Sequence, residues 1–270
     1  MPKENDFIIQ DIEGVPDYEA RTYREKQNTT ALLIPILNEG TKILLQLAML
    51  NLDELKVDVI IADGGSSDHT KENIERSNID IHTFLTKRGK GDLSAQLRMG
   101  FHYCLTKHYE SVITMDGNNK DDPSGIASIM FALTSGVDFV QGSRFIQGGQ
   151  AINTPLSRYL AIRFIHSPLT SIGARRFYTD TTNGFRGHSA KLLQHPQVEI
   201  FREIFDTYEL LAYLPIRSHQ VGLRVCEVPV IRRYPKGGVT PTKIHGITAQ
   251  YRLLRILLSA VIGRFNPDAT

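Results

Sequence analysis

The chain has 270 residues, of which 41% are hydrophobic and 22% charged, a composition typical of a globular protein with one large domain or a domain and an appendage. A formal net charge of +2 is too small to indicate nucleic-acid binding, and basic patches interleaved with aromatic residues are missing, so we expect no nucleic-acid partner. Cys104 and Cys226 are the only cysteines, which excludes a disulfide framework and a paired-cysteine zinc site.

The start of the chain, M-P-K-E-N-D, lacks the apolar stretch of a signal peptide. No segment reaches the roughly 20 consecutive apolar residues that a membrane-spanning helix needs. We therefore expect a cytoplasmic protein, with peripheral contact at the inner face of the membrane as an open alternative.

Apolar runs and helical patterns alternate along most of the chain. Residues 1–30 are polar with isolated apolar positions, and we expect them to form an extended arm on the main domain. The pattern then predicts strands and helices in this order: strand 31–37, helix 41–50, strand 57–62, strand 79–85, helix 93–106, strand 112–115, helix 123–135 and strand 138–141. Strands that alternate with helices predict an α/β fold with a mainly parallel sheet flanked by helices.

The expected organisation has three parts. Residues 1–30 form the arm, 31–244 the main domain, and 245–270 a C-terminal amphipathic helix and tail. The helical pattern at 250–263 is the most apolar in the chain and contains two arginines. It could pack on the core, form a dimer seam or lie in a membrane interface, and the sequence leaves these three alternatives open.

The stretch Ser111–Pro123 reads S-V-I-T-M-D-G-N-N-K-D-D-P and contains an apolar run that stops at Asp116. Beyond the strand, oxygen-bearing side chains follow closely, with Asn118, Asp121 and Asp122 after Asp116. Such ligands suit a hard cation such as Mg²⁺ or Mn²⁺ at the edge of a parallel sheet, where ligands of α/β folds bind. A polar turn without any ion is the alternative.

Seven short motifs, taken in order, resemble those of the family 2 glycosyltransferases with the GT-A fold. They are P-I-L-N-E (35–39), D-G-G-S-S-D-H-T (63–70), G-K-G (89–91), M-D-G-N (115–118), G-S-R-F (142–145), T-N-G-F-R (182–186) and E-V-P-V (227–230). The branch that they resemble most is the polyprenyl-phosphate sugar transferases, such as dolichyl-phosphate mannose synthase. The resemblance covers residues 31 to about 244 and implies the same α/β class of fold.

A nucleotide-sugar donor presents a base, a ribose and a diphosphate, and the first motifs carry partners for each. The carboxylates of Glu39 and Asp63 can accept hydrogen bonds from base and ribose, although Asp63 could instead be a turn residue. Lys90 could reach the diphosphate or be an ordinary solvated lysine. The resemblance implies a donor site made of Pro35, Leu37, Asn38, Glu39, Asp63, Gly64, Gly65, Ser66, Lys90, Asp116, Gly117 and Asn118.

The resemblance also implies that Asp116 and Asn118 hold Mg²⁺ or Mn²⁺ at the donor diphosphate. Asn118 stands where the family has a second acid, and Lys120 stands where some members have a metal-binding glutamine. The site therefore has one negative charge fewer, and we expect weaker metal binding, with Lys120 as a candidate for part of the charge neutralisation.

The acceptor decides the remaining chemistry. A hydroxyl acceptor needs a general base, whereas a phosphate is already anionic and needs cations that position it. Asp180 is expected to be a general base or an acceptor-positioning acid, and Arg144 matches a family motif, so both are predicted to be catalytic. A role for Glu209 stays open, because its distance along the chain from the E-V-P-V motif differs by about one helical turn from that of the acid in the family. Acceptor-phosphate binding is predicted for three basic residues, Arg158, Arg233 and Lys243.

The expected function is sugar transfer, with inversion, from a nucleotide sugar to a polyprenyl phosphate. Transfer to a saccharide hydroxyl is the alternative within this class. A sugar-phosphate nucleotidyltransferase would need a G-x-G-T-R loop after the first strand, which Pro35–Gly40 does not supply. A non-catalytic nucleotide-sugar-binding protein is the remaining alternative. The sequence leaves open the base, the sugar and the oligomeric state.

Overall fold

The computed structural model describes residues 5–77, 79–236 and 246–268. The chain folds as two units. Unit 1 is Met1–Asn119 with Phe201–Thr207, and unit 2 is Lys120–Ile200 with Tyr208–Thr270.

Unit 1 contains strands in the order β1-β2-β5-β4-β3-β6. Their bounds are β1 Asn5–Ile9, β2 Tyr18–Thr22, β3 Thr30–Ile36, β4 Asp58–Asp63, β5 Thr83–Lys87 and β6 Ser111–Thr114. Strands β3 to β6 pair in parallel, whereas β1 pairs with β2 and β2 with β5 in antiparallel fashion. β3 and β4 are almost completely buried, which explains their continuous apolar sequences.

The helices of unit 1 are α1 Thr41–Ala48, α2 Leu52–Leu55, α3 Thr70–Arg76 and α4 Leu93–Thr106. α4 packs tightly on the central strand, because a Cβ atom at Gly100 would lie 2.5 Å from Leu33 Cδ2. The parallel strands β3, β4 and β6 all end at the same edge of the sheet, from which the segments 37–40, 64–68 and 115–119 continue. This edge is where an open α/β sheet binds its ligands.

Unit 2 contains the strands β7 Phe139–Ser143, β8 Gln150–Ile152, β9 Arg186–Ser189, β10 Val225–Pro229 and β11 Ile231–Arg233. β7 lies between β9 (antiparallel) and β10 (parallel), and β8 pairs with β11 in parallel. Its helices are α5 Gly125–Thr134, α6 Leu156–Ala161, α7 Ser167–Ala174, α8 Ala190–Leu193, α9 Glu209–Gln220 and α10 Gly246–Val261, with a π-helical segment, Ile162–His166, between α6 and α7.

α10 packs against α7 and α9 through a small apolar cluster that includes Tyr178, Ile216 and Ala260. One face of the C-terminal helix is therefore packed on the core, which was one of the three alternatives for it. Tyr251 in this helix and Ile262, just beyond its end, are largely exposed. In the described parts of the chain, we find no helix with the length and apolar character required to cross a bilayer.

The α/β class and the mainly parallel, helix-flanked sheet are confirmed, and α4 has the bounds predicted from the sequence. The segment expected to form an extended arm contains β1 and β2, which are hydrogen-bonded into the sheet, and Tyr18 and Ala20 are fully buried. β5 begins at Thr83, later than the predicted 79. The domain limits at 30 and 244 stay predictions.

Candidate active site

Two motif loops of unit 1 are joined by reciprocal hydrogen bonds. The Asn38 backbone N–H donates to Ser66 Oγ (2.9 Å), and the Ser67 N–H donates to Asn38 Oδ1 (2.8 Å). Asn38 adopts a left-handed conformation with φ of 51°, which asparagine tolerates better than most residues. The loops after β3 and β4 therefore form one connected rim that includes predicted donor residues from both.

Asp63 organises the second of these loops. Its carboxylate is buried and accepts hydrogen bonds from the backbone N–H groups of Gly65 (3.2 Å) and Ser66 (3.0 Å) and from the Ser66 hydroxyl. With these bonds Asp63 acts as a turn residue, which was the alternative considered for it, and it holds Gly64, Gly65 and Ser66 in place. A contact between Asp63 and a nucleoside stays a prediction.

Gln96, on α4, supports the same rim and was not singled out from the sequence. Its Nε2 donates to the backbone oxygen of Ile36 (2.7 Å) and to that of Ala62. The amide thus ties together the ends of β3 and β4 directly beneath Gly64, where a Cβ atom would lie 3.4 Å from Gln96 Oε1. A glutamine on the apolar face of a predicted helix was the signal that could have revealed it.

Two candidate cations for the donor lie at the end of β5 and in the basic loop that follows it. The predicted residue, Lys90, is exposed, whereas Lys87 is partly buried and donates to the Gly89 backbone oxygen (2.7 Å). Burial lowers the pKa of Lys87, partly offset by the carboxylates of Asp92, Asp206 and Asp63. Because Asp63 acts on it electrostatically, Lys87 belongs beside the predicted donor residues.

The metal motif follows β6. Asn118 Nδ2 donates to Asp116 Oδ2 (3.3 Å), and Asn118 Oδ1 is buried without a hydrogen-bond partner in the structure. Gly117 packs against β3, since a Cβ atom there would lie 2.6 Å from Ile36 Cγ2. An unpartnered amide oxygen beside a carboxylate fits a Mg²⁺ or Mn²⁺ ion, because such ions prefer oxygen ligands. Among the described residues no cluster of three or more His, Cys, Asp or Glu side chains supplies a fuller metal cage.

Arg144 and Asp180 form a buried ion pair in unit 2. The Arg144 Nε lies 2.6 Å from Asp180 Oδ2, and its Nη2 lies 2.8 Å from Oδ1, with both side chains almost inaccessible. Burial alone would raise the pKa of Asp180, but Arg144 and the surrounding hydrogen bonds outweigh it and lower the pKa. Asp180 was expected to be a general base or an acceptor-positioning acid, and both roles stay predictions, although its enclosure by Arg144 favours the second.

A cluster of cations surrounds Tyr234, just after β11. Lys120 Nζ lies 5.4 Å from the centre of the ring, Arg158 Cζ 5.6 Å and Arg232 Cζ 5.9 Å, all within cation–π range. Arg158 also donates to the Tyr234 hydroxyl (3.2 Å), and Arg232 to Asp121 (2.5 Å). Burial would raise the pKa of Tyr234, but the nearby arginines, Arg232 first, lower it overall. We call Lys120, Arg158, Arg232 and Tyr234 the tyrosine cluster.

The other predicted residues of unit 2 differ in their surroundings. Arg233 is exposed and lies 3.8 Å from Asp122. Glu209 is the first residue of α9 and is largely buried, which leaves its role open. Lys243 lies outside the described residues.

The sequence model of Glycosyl transferase family 2 matches residues 31–203, more than half of the chain. The chain belongs to this family. Among its relatives, the polyprenol monophosphomannose synthase of Mycolicibacterium smegmatis is 23% identical over 251 residues, which cover 91% of each chain. The undecaprenyl-phosphate mannosyltransferase of Micrococcus luteus is 26% identical over 201 residues, 73% of this chain and 81% of the relative.

The fold also matches a solved glycosyltransferase structure. Glucosyl-3-phosphoglycerate synthase from Mycobacterium tuberculosis, in complex with Mn²⁺, uridine diphosphate and phosphoglyceric acid, superposes with a TM-score of 0.64. The alignment covers 90% of this chain and 80% of the synthase at 16% identity, so it bears on the fold alone. The GT-A fold expected from the motifs is thereby confirmed.

In this glycosyltransferase, unit 1 brings the predicted donor residues after β3, β4 and β6 to one sheet edge. Lys87 and Gln96 join them from elements flanking that edge. In unit 2, Arg158 is gathered with two further cations at Tyr234, whereas Arg233 contacts Asp122. Unit 1 therefore carries the predicted donor residues, with the carboxylates of Asp63 and Asp116 and the cations Lys87 and Lys90, and unit 2 carries the cations of the tyrosine cluster and the Arg144–Asp180 pair.

Proposed function

We propose that this glycosyltransferase moves a sugar from a nucleotide-sugar donor to a polyprenyl phosphate, with inversion at the sugar carbon. The observation that carries this proposal is the tyrosine cluster, in which three cationic side chains converge on one buried ring. Guanidinium groups recognise phosphate oxygens well, and a buried ring holds them at a defined place.

A phosphate acceptor also agrees with the state of Asp180. An acceptor hydroxyl must lose a proton as it attacks, so it needs an accessible base, but a phosphate is already anionic. Asp180 is fully buried and paired with Arg144, which suits a positioning role for the loop G-S-R-F rather than proton transfer. The two mannosyl-transferring relatives carry polyprenol and undecaprenyl phosphate in their names, which supports the same class of acceptor.

For the donor, we assign the nucleotide to the rim formed by Asn38, Asp63 and Ser66, with Lys87 or Lys90 for the diphosphate. Asp116 and the free amide oxygen of Asn118 would hold Mg²⁺ or Mn²⁺, which neutralises charge on the departing nucleoside diphosphate. With one carboxylate rather than two, this motif alone is expected to bind the ion weakly.

A water-soluble phosphorylated acceptor is the second candidate. The synthase with the same fold was solved with phosphoglyceric acid, and the tyrosine cluster would suit the phosphate of such a molecule as well. This acceptor reacts through a hydroxyl and would require a base, a role for which the buried and paired Asp180 is poorly suited. The enclosed carboxylate therefore favours the lipid phosphate.

Radiolabelled nucleotide sugars, offered with a polyprenyl phosphate and with soluble phosphorylated hydroxyl compounds in parallel, test the proposal. We expect label in solvent-extractable lipid, in a product cleaved by mild acid as a glycosyl phosphate. Label that stays in the aqueous phase on a saccharide or a phosphorylated acid would contradict it.

Arg158→Ala is expected to raise the KM for the acceptor about 10- to 100-fold, since a hydrogen bond to a charged group contributes about 1.5–3 kcal/mol. Nucleotide affinity, measured by calorimetry with the free nucleoside diphosphate, should change little. Lys191→Ala is the control, because it removes an exposed cation of the same unit that pairs with Asp138. Equal losses in nucleotide and acceptor binding would place Arg158 in the donor site instead.

A further inference from the structure

Large apolar side chains are exposed along α6, the π-helical segment and α7. Leu156 is 72% exposed, Phe164 72% and Ile172 67%, and Phe177, just beyond α7, is 76% exposed. Leu160 and Ile165 are exposed to a lesser degree on the same segment. We call these six residues the outer apolar face. Single exposed apolar residues are common on proteins, but six within 22 consecutive residues mark an interaction surface.

The backbone conformation keeps these residues on one side of the segment. The spacing between Leu156, Leu160, Phe164 and Ile172 is four or eight residues. Because a regular α-helix has 3.6 residues per turn, residues at this spacing would gradually rotate around the helix axis. The π-helical turn at Ile162–His166 is wider than an α-helical turn and compensates for this drift. The inner side of the same segment is buried at Ile162, Thr170 and Ala174, so the segment is held in the fold through its opposite face.

The segment that carries the face has charges of one sign. No Asp or Glu occurs between Asp138 and Asp180, and besides Arg144, which is buried against Asp180, this stretch contains four arginines, at 158, 163, 175 and 176. Arg158 extends from α6 to Tyr234, and Arg163 from the π-helical segment to the Thr179 backbone oxygen (3.4 Å). An apolar stripe flanked by arginines and free of acids complements the surface of an anionic bilayer.

We propose that the outer apolar face docks this protein on the surface of an anionic lipid bilayer. The proposal rests on the proposed function and adds a location to it: Leu156 and Leu160 lie on the same helix as Arg158, the predicted ligand of the acceptor phosphate. With the apolar face among the acyl chains, Arg158 lies near the depth of the lipid headgroups, where the phosphate of a polyprenyl lipid resides. The contact predicted for the helix at 250–263 is then secondary, since one of its faces is packed on α7 and α9.

Vesicle flotation of the full chain tests the docking surface. Wild-type protein is expected to float with vesicles of phosphatidylcholine and phosphatidylglycerol, to bind phosphatidylcholine alone more weakly, and to dissociate as ionic strength rises from about 0.1 M to about 1 M. Phe164→Ser with Phe177→Ser should lower the partition coefficient at least about tenfold, because two phenyl groups no longer leave water. Both side chains are exposed, so circular dichroism and thermal unfolding should be unchanged.

Phe131→Ser is the matched control, since Phe131 is 75% exposed but lies on α5, outside the outer apolar face. Wild-type protein that ignores anionic vesicles, or a double variant that binds them as tightly as wild type, would overturn the proposal. A double variant that splits a dimer while neither protein binds vesicles would assign the face to a second copy of the chain. Sugar transfer to a short-chain, water-soluble prenyl phosphate distinguishes the docking proposal from the proposed function. This transfer is retained if only the docking proposal is wrong, and it is absent if the proposed function is wrong.

Discussion

Asp180→Ala is expected to lower the free energy of unfolding by about 3–5 kcal/mol, because it leaves the buried Arg144 guanidinium without its partner. Arg144→Ala should cost a similar amount for the same reason. Urea unfolding at neutral pH measures both effects. Since the folded pKa of Asp180 is lowered, its contribution to stability is present above the unfolded pKa of an aspartate and is lost as pH falls through the folded value.

Arg88→Ala is the control for this prediction, because Arg88 pairs with Glu19 on the exposed surface and such pairs contribute less than about 1 kcal/mol. Asp180→Asn distinguishes an ion pair from a general base. The neutral amide cannot balance Arg144, so we expect this variant to be destabilised as well. A variant that unfolds like wild type but has lost all transfer would support the general-base role of Asp180.

The elements at the centre of unit 1 could be predicted from the sequence. β3 and β4 are continuous apolar runs because parallel strands are buried on both faces, and α4 is helical over the predicted residues. The strands end where polar motif residues begin, which is why the donor loops could be assigned before the structure. Strands β1 and β2 were predicted only as an extended arm, because their alternating, partly exposed residues lack the continuous apolar pattern of the central strands.

The surroundings of individual side chains could not be predicted, because they depend on tertiary contacts. Nothing local distinguishes Asp180, which is enclosed by Arg144, from an accessible acid in a loop. In the same way, the sequence places Lys120 beside the metal motif, but the structure shows its ammonium group over the ring of Tyr234, 114 positions along the chain from it. The exposure of apolar residues on α6 and α7 could not be predicted from the sequence either, since an apolar helix on a surface and one in a core have similar compositions.

Asp116→Ala is expected to reduce the rate of sugar transfer at least about 100-fold. The only carboxylate of the M-D-G-N motif would be lost, and metal-ion stabilisation of a developing charge contributes several kcal/mol to the transition state. Steady-state rates with Mg²⁺ and with Mn²⁺ measure the effect. Calorimetric titration of Mn²⁺ in the presence of uridine diphosphate gives a second readout that does not depend on turnover, and there the variant should show weaker binding of the ion.

Asn118→Asp tests the same site in the opposite direction. The second carboxylate adds a negative charge where Asn118 Oδ1 is now buried without a hydrogen-bond partner, so the ion should bind more tightly and half-maximal rate should be reached at a lower Mg²⁺ or Mn²⁺ concentration. Asn38→Asp is the control, because it adds the same charge to a neighbouring loop whose side chain is tied to Ser67. If both variants leave the metal dependence unchanged, Asn118 is not a ligand. If both shift it equally, the effect is a general one of added charge rather than coordination at the metal motif.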